Sequence, residues 1–515
     1  LKQHFWLQPP PPACSKPGSK RDRSHPARCL LREEWSAMKA KDVLDTSSPK
    51  DMSPSRRPLI DTSSGAGRTT LIYKLAFFIP LALLAGLCVV GSFPMSSQSS
   101  KPQPILQLHM MTDKGLKGRG AVCLDGSDAG FYFAPSSTGS KGWHIFFNGG
   151  GWCYDEADCL GRTETFLGSS KTWSNQIYME GMLSFDCAVN PDFCNFNVVV
   201  LNYCDGMSFA GDRKDPVMVI PPNESEAKPL YFRGRRILDA TLDTLLDMGL
   251  SNAEEVILTG CSAGGLAALL HADHVKRRLG VIPSLKKFGV APMSGFFLLH
   301  SNLEGEAVFP EMMEYAFNMA NASHGVNADC AAAYPQKETW KCGFAQHAFA
   351  FTQSRVFLLN SALDSWQISC IYTAGLERGF PTEKVPNLAG NCSVVPGWKN
   401  CSQDLASCKA GQLQKLNEYI EHFQEVLAIN PSAGRRGNGA FIHSCFTHCE
   451  ALSNPQWSGF AVGGTTMQEA VSKWWRSDED PASRHTYSPC LYRSSSSDPT
   501  CNPSCLPPSE QSMVV

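Results

Sequence analysis

The chain has 515 residues, 43% of them hydrophobic and 18% charged, with a formal net charge of −2. That length accommodates one large α/β domain or two smaller ones, and no collagen-like or heptad period runs through it. The small net charge hides an asymmetry, because residues 1–74 carry 14 Lys+Arg against 7 Asp+Glu, leaving 32 against 41 for the rest. An acidic body argues against nucleic acid as a partner, since neutralising phosphates needs a basic surface.

Residues 1–74 are rich in Pro, Ser and basic groups without apolar periodicity, and disorder is expected there. The run 75–93, LAFFIPLALLAGLCVVGSF, has 19 residues and no charge. It fits either a signal peptide, with Val90 and Ser92 near the cleavage position, or an uncleaved signal-anchor approaching a bilayer span. The preceding Arg56, Arg57, Arg68 and Lys74 would stay cytoplasmic in both cases. A Ser/Gln/Pro-rich linker, 94–104, follows. Of 21 cysteines, 18 lie after the apolar run, a density expected of an oxidising compartment. No pair of CxxC knuckles with histidine partners is present, so disulfides are expected and zinc is not. Sequons at Asn223, Asn321, Asn391 and Asn400 fit a glycosylated luminal chain.

From 105 to 476 short apolar runs alternate with helical patterns. Strands are expected at His144–Asn148, Asn197–Asn202, Glu255–Thr259 and Arg355–Asn360, and helices at Arg236–Leu250, Gly264–Leu279 and Gln412–Ala428. Such alternation predicts a single α/β domain of the α/β-hydrolase kind, a mostly parallel sheet with helices on both faces. Residues 477–515, rich in Cys, Ser and Pro, are expected to form an irregular tail.

The strongest chemical signal is Gly260-Cys-Ser-Ala-Gly-Gly265, between a predicted strand and a predicted helix. Strand–turn–helix is the context in which G-x-S-x-G holds a serine at a strained elbow, making Ser262 the candidate nucleophile. Cys261 is a weaker alternative, because it would point away from the apex. Asn148-Gly-Gly-Gly-Trp-Cys153 follows an early strand. With no GxGxxG or GK[ST], a phosphate loop is a poor reading. An oxyanion loop is better, with the N–H groups of Gly151, Trp152 and Ala263 as donors. Asp364, where a loop leaves the late strand, is the candidate acid. His448 is the candidate base, giving the order Ser262, Asp364, His448. His443 ends the strand-like GAFIH and is expected to face a neighbouring layer and hydrogen-bond locally.

Taken together, FFNGGGWC (146–153), NYCDG (202–206), GCSAGG (260–265), NSALDSWQ (360–367) and SCFTHC (444–449) resemble the plant pectin acetylesterase family, whose wider superfamily includes the carboxylesterase Notum. The resemblance runs from about 105 to 505. It implies a secreted or lumen-anchored serine carboxylesterase that removes acetyl esters from pectin in the cell wall, with Ser262, Asp364 and His448 as triad and no metal or cofactor. Asp205 and Gly206, in NYCDG, are expected to bind substrate, and the protein is expected to be monomeric. The alternatives are a fatty-acyl protein esterase like Notum and an inactive hydrolase fold used for binding. Three stretches depart from the expected family pattern: Met207 stands where a small residue is expected, Met293-Ser294 where an Asp-Ala pair is, and His443 where an Asn is.

Overall fold

A computed structural model describes residues 105–112, 120–221, 224–375, 392–435, 437–477, 485–487, 502 and 504–505. The basic segment, the apolar run 75–93, the linker up to 104, and the sequons at Asn223 and Asn391 lie outside the described residues. Among the described residues no helix is long and apolar enough to cross a membrane.

The apolar runs are extended, as their β-branched and aromatic content dictates. They form strands β1 (Leu106–Met110), β2 (Gly130–Ala134), β3 (Gly142–Phe147), β4 (Gln176–Ile177), β5 (Asn197–Leu201), β6 (Glu255–Cys261), β7 (Lys287–Met293), β8 (Phe357–Ser361), β9 (Gly439–His443) and β10 (His485–Tyr487). All ten join one sheet in the order β10-β9-β8-β7-β6-β3-β5-β2-β1-β4. From β10 to β5 every pairing is parallel, and β2, β1 and β4 close the other edge antiparallel. The architecture is therefore α/β-hydrolase-like with a mostly parallel sheet. Two features differ from the sequence expectation. The antiparallel edge is built from segments too short or too weakly patterned to stand out. The presumed irregular tail returns β10 to the sheet and ties Cys505 to Cys445.

The central strands are covered on both faces. Along β8 and β9, Phe357, Leu359 and Phe441 point into one apolar layer while Leu358, Ala440 and Ile442 point into the other. That alternation of two buried faces explains why these strands lack a polar side. Helices α1 (Glu156–Arg162), α2 (Gly234–Asp247), α3 (Ala263–Leu279), α4 (Val308–Met319) and α5 (Ala410–Ala428) contribute to the layer that takes Leu358, Ala440 and Ile442. α6 (Met467–Arg476) starts with a Thr466/Glu469 capping box and buries Trp474 and Trp475 in the layer that takes Phe357, Leu359 and Phe441.

Among the described residues sixteen cysteines form eight disulfides: 123–204, 153–159, 187–194, 261–449, 330–342, 370–392, 401–408 and 445–505. Cys490 and Cys501 lie outside the described residues. Asn321 and Asn400 are exposed.

Candidate active site

Parallel strands direct their carboxyl ends to one edge, and every candidate residue leaves the sheet there. β3 runs into the glycine loop, β6 into Ser262, β8 into the Asp364 loop and β9 into the His448 loop. Registers Phe147↔Gly260 and Ser361↔His443 align those ends.

Ser262 takes φ 60° and ψ −129°, which an L-residue adopts only under constraint. Its N–H donates to the Met293 carbonyl at 3.1 Å, fastening the turn to the end of β7. Glycine is required around it. A Cβ on Gly264 would collide with the carbonyls of Phe147 and Asn148, and one on Gly149 would meet the Cys261 carbonyl and lie 2.9 Å from Ser262 Cβ. The glycine loop and the serine turn are thus in backbone contact.

Three successive carbonyls of the glycine loop are tied back. The buried Arg162 guanidinium donates to Gly150 at 2.8 Å and to Trp152 at 3.5 Å, while the Tyr203 hydroxyl donates to Gly151 at 2.8 Å. Ser208 joins this loop to the serine helix. Its hydroxyl accepts from Trp152 Nε1 and donates to the Ala263 carbonyl, both at 2.8 Å. Its own carbonyl accepts from His271 Nε2 at 3.1 Å, and burial pushes that imidazole down to about 3, so it stays neutral. With their carbonyls engaged, the N–H groups of Gly151, Trp152 and Ala263 donate to no protein acceptor among the described residues. That is the state an oxyanion hole requires.

Asp364 is fully buried. Its Oδ1 caps the following turn by accepting from Gln367 N–H at 3.0 Å, and its Oδ2 accepts from His448 Nδ1 at 2.7 Å. A proton on Nδ1 leaves Nε2 as the lone-pair nitrogen, and Nε2 is buried without a partner among the described residues. Burial opposes charging the imidazole, but the Asp364 carboxylate, through its charge and its hydrogen bond, and Glu450 outweigh it and raise the His448 pKa.

Cys261 and Cys449 are disulfide-bonded with Cα atoms 5.6 Å apart, so the chain neighbours Ser262 and His448 are held close across 188 residues of sequence. Cys261, the alternative nucleophile, therefore has no thiolate to offer. A His448 ring nitrogen and the two sulfurs lie within 4.8 Å of one another, but the disulfide removes both thiolate ligands a metal would need.

Asp205 and Gly206 do not sit where a substrate could touch Asp205. That carboxyl is fully buried, accepts from Phe209 N–H at 3.0 Å, and is pushed up to about 6 by burial. Gly206 lies at φ 69°, and its carbonyl accepts from Cys153 N–H at 3.3 Å. Both residues support the glycine loop from behind. Arg162, Ser208 and Glu450 carried no local sequence signal and emerge only from the fold, and Tyr203 lies in NYCDG without having been given a role there.

Rings of Trp152, Phe297, Phe309 and Trp366 pack on one another with centroids 5.0–5.8 Å apart. His448 stacks beside Trp366 at 6.5 Å and near Phe297 at 6.3 Å. A surface cavity of about 490 Å³ lies elsewhere, lined in part by Glu156, Glu311, Glu314 and Arg213, and contains none of the candidate residues.

The pectinacetylesterase family model matches residues 100–502. The chain is 34% identical to pectin acetylesterase 11 of Arabidopsis thaliana over 361 residues, 69% of this chain and 84% of that one. It is 32% identical to pectin acetylesterase 5 of the same plant over 416 residues, 79% of this chain and 88% of that one. To the human palmitoleoyl-protein carboxylesterase NOTUM it is 26% identical over 426 residues, 80% of this chain and 75% of that one.

Proposed function

Because the chain belongs to the pectinacetylesterase family and is a carboxylic ester hydrolase, we propose that it removes acetyl groups from pectin in the cell wall with Ser262, His448 and Asp364 as its triad. Ser262 Oγ attacks the acetyl carbonyl and its proton passes to His448 Nε2, while Asp364 holds Nδ1–H and stabilises the imidazolium. The N–H groups of Gly151, Trp152 and Ala263 receive the oxyanion. Collapse expels the sugar alkoxide, which takes the proton back from His448. Water activated by the same imidazole then releases acetate and restores the serine.

The observation that carries the short-acyl reading is the packed cluster of Trp152, Phe297, Phe309 and Trp366 beside His448, all buried. Close-packed rings beside the base favour a small acyl group over a long flexible chain. A pectin substrate is supported by the greater identity to the plant pectin acetylesterases than to NOTUM. The disulfides and the apolar run 75–93 support secretion.

Acetate release from acetylated pectin is the direct test, with acetylated xylan beside it. On p-nitrophenyl esters, kcat/KM is expected to fall at least about tenfold from acetyl to octanoyl. A preference for long chains would favour a fatty-acyl esterase, and no turnover of any ester would favour a binding module. A second expectation concerns the glycine loop. Gly149→Ala puts a Cβ against the Cys261 carbonyl and Ser262 Cβ. A displacement of about 1 Å there should cost about 10²-fold in kcat, read in the same assay with melting temperature as control.

A further inference from the structure

A second carboxylate stands beside the proposed base. Glu450 is fully buried and belongs to the turn that carries His448. His443 Nδ1 accepts from Cys445 N–H at 3.2 Å, so the proton of that neutral ring is on Nε2, which donates to Glu450 Oε1 at 2.9 Å. Ser294, just past the end of β7, accepts from Cys449 N–H at 3.0 Å, leaving its hydroxyl proton for Glu450 Oε2 at 3.2 Å. Every donor and acceptor in this network is used consistently, and together they tie the ends of β7 and β9 to the His448–Cys449 turn. Cys449 itself takes φ 64°, a conformation held by these bonds and by its disulfide.

The network is built from neutral donors around one carboxylate. Buried carboxylates are rarely left without a counter-charge, because desolvation costs several kcal/mol per ion. The charge that can complete this one is the imidazolium formed when His448 takes a proton. We infer that Glu450 is a positioning residue of the ester hydrolase, which holds the His448 turn in register with Ser262 through Ser294 and His443 and stabilises the imidazolium as a second negative charge. This inference rests on the triad reading above. The electrostatics agree. Glu450 contributes, through its charge, to the raised pKa of His448. The groups facing Glu450 are His443 from β9 and Ser294 after β7. Those facing His448 are Asp364 and the rings of Phe297 and Trp366, and Glu450, two residues on, acts on it through its charge.

Glu450→Gln keeps the shape of the side chain and removes its charge. Because that charge raises the His448 pKa, its loss should move the acid limb of kcat/KM for p-nitrophenyl acetate to lower pH. It should also lower kcat by about tenfold with KM within about twofold. The NMR titration midpoint of the His448 imidazole should fall with it, and this reads Glu450 whether or not an ester is turned over. Failure of the triad reading would show as wild-type protein without Ser262-dependent turnover. Failure of the present inference would show as an unmoved His448 titration and an unchanged kcat in folded Glu450→Gln. A kcat loss that tracks only the fraction of folded protein, with both pH readouts unmoved, would overturn it too. Glu450→Ala should be worse than Glu450→Gln in kcat. If it does not fold, the Gln variant still decides.

Discussion

Ser262→Ala is expected to lower kcat on p-nitrophenyl acetate by at least about 10³-fold while moving the melting temperature by no more than about 2 °C. The two halves of that expectation have separate causes. The hydroxyl is the only atom removed, and among the described residues it makes no hydrogen bond. The fold loses nothing that the serine supplied. Alanine tolerates φ 60° no better and no worse than serine, so the constraint at the elbow is unchanged. What disappears is the covalent route. The donors of Gly151, Trp152 and Ala263 remain, so a residual rate above the uncatalysed reaction should persist, as it does when a triad member is deleted and the oxyanion site is left. Activity within tenfold of the parent would end the serine mechanism and return attention to a hydrolase fold used for binding.

How much of this was visible in the amino-acid sequence follows from what each residue needs. Ser262 and the glycine loop were legible because their geometry imposes a local backbone requirement, and glycine at fixed offsets is the only way to meet it. His443 was legible as a buried histidine that hydrogen-bonds locally, because GAFIH reads as a strand end. Asp364 was placed by its position after a late strand. Asp205 departs from the expectation, because NYCDG marks a loop without revealing that the carboxyl faces inward to accept from Phe209 N–H. Glu450 could not be found at all. Its partner Ser294 lies 156 residues away, and the link exists only where β7 and β9 end side by side. The same holds for Arg162, whose guanidinium meets the Gly150 and Trp152 carbonyls through a fold of α1. Disulfide pairing was equally hidden, since spacing does not determine connectivity. Ser294 and His443, each in a stretch expected to depart from the family pattern, are the hydrogen-bond partners of Glu450. Positions that looked like scattered substitutions form one hydrogen-bonded unit.

That unit makes the two histidines, five residues apart, separable by experiment. His448→Ala is expected to lower kcat as far as Ser262→Ala, at least about 10³-fold, and the double variant should add little, because triad members act together. Its cost in stability should be small. The His448 side chain is 18% exposed, so water can enter the vacated space and solvate Asp364. His443→Ala should show the opposite pattern. His443 and Glu450 are each 0% exposed, and removing the imidazole leaves a carboxylate with one donor fewer where water cannot reach it. Depriving a buried acceptor of a donor costs about 1–3 kcal/mol, and more when the acceptor is charged, which appears as a drop in melting temperature. The folded fraction should keep kcat within about an order of magnitude, because Ser294 still engages Glu450 and Asp364 still holds His448. His443→Asn should recover part of the stability by restoring a donor toward Glu450. Melting temperature and active-site-normalised kcat, measured on all three variants, separate the roles. A folded His443→Ala that is inactive, beside a His448→Ala that still hydrolyses p-nitrophenyl acetate, would transfer the base from one histidine to the other.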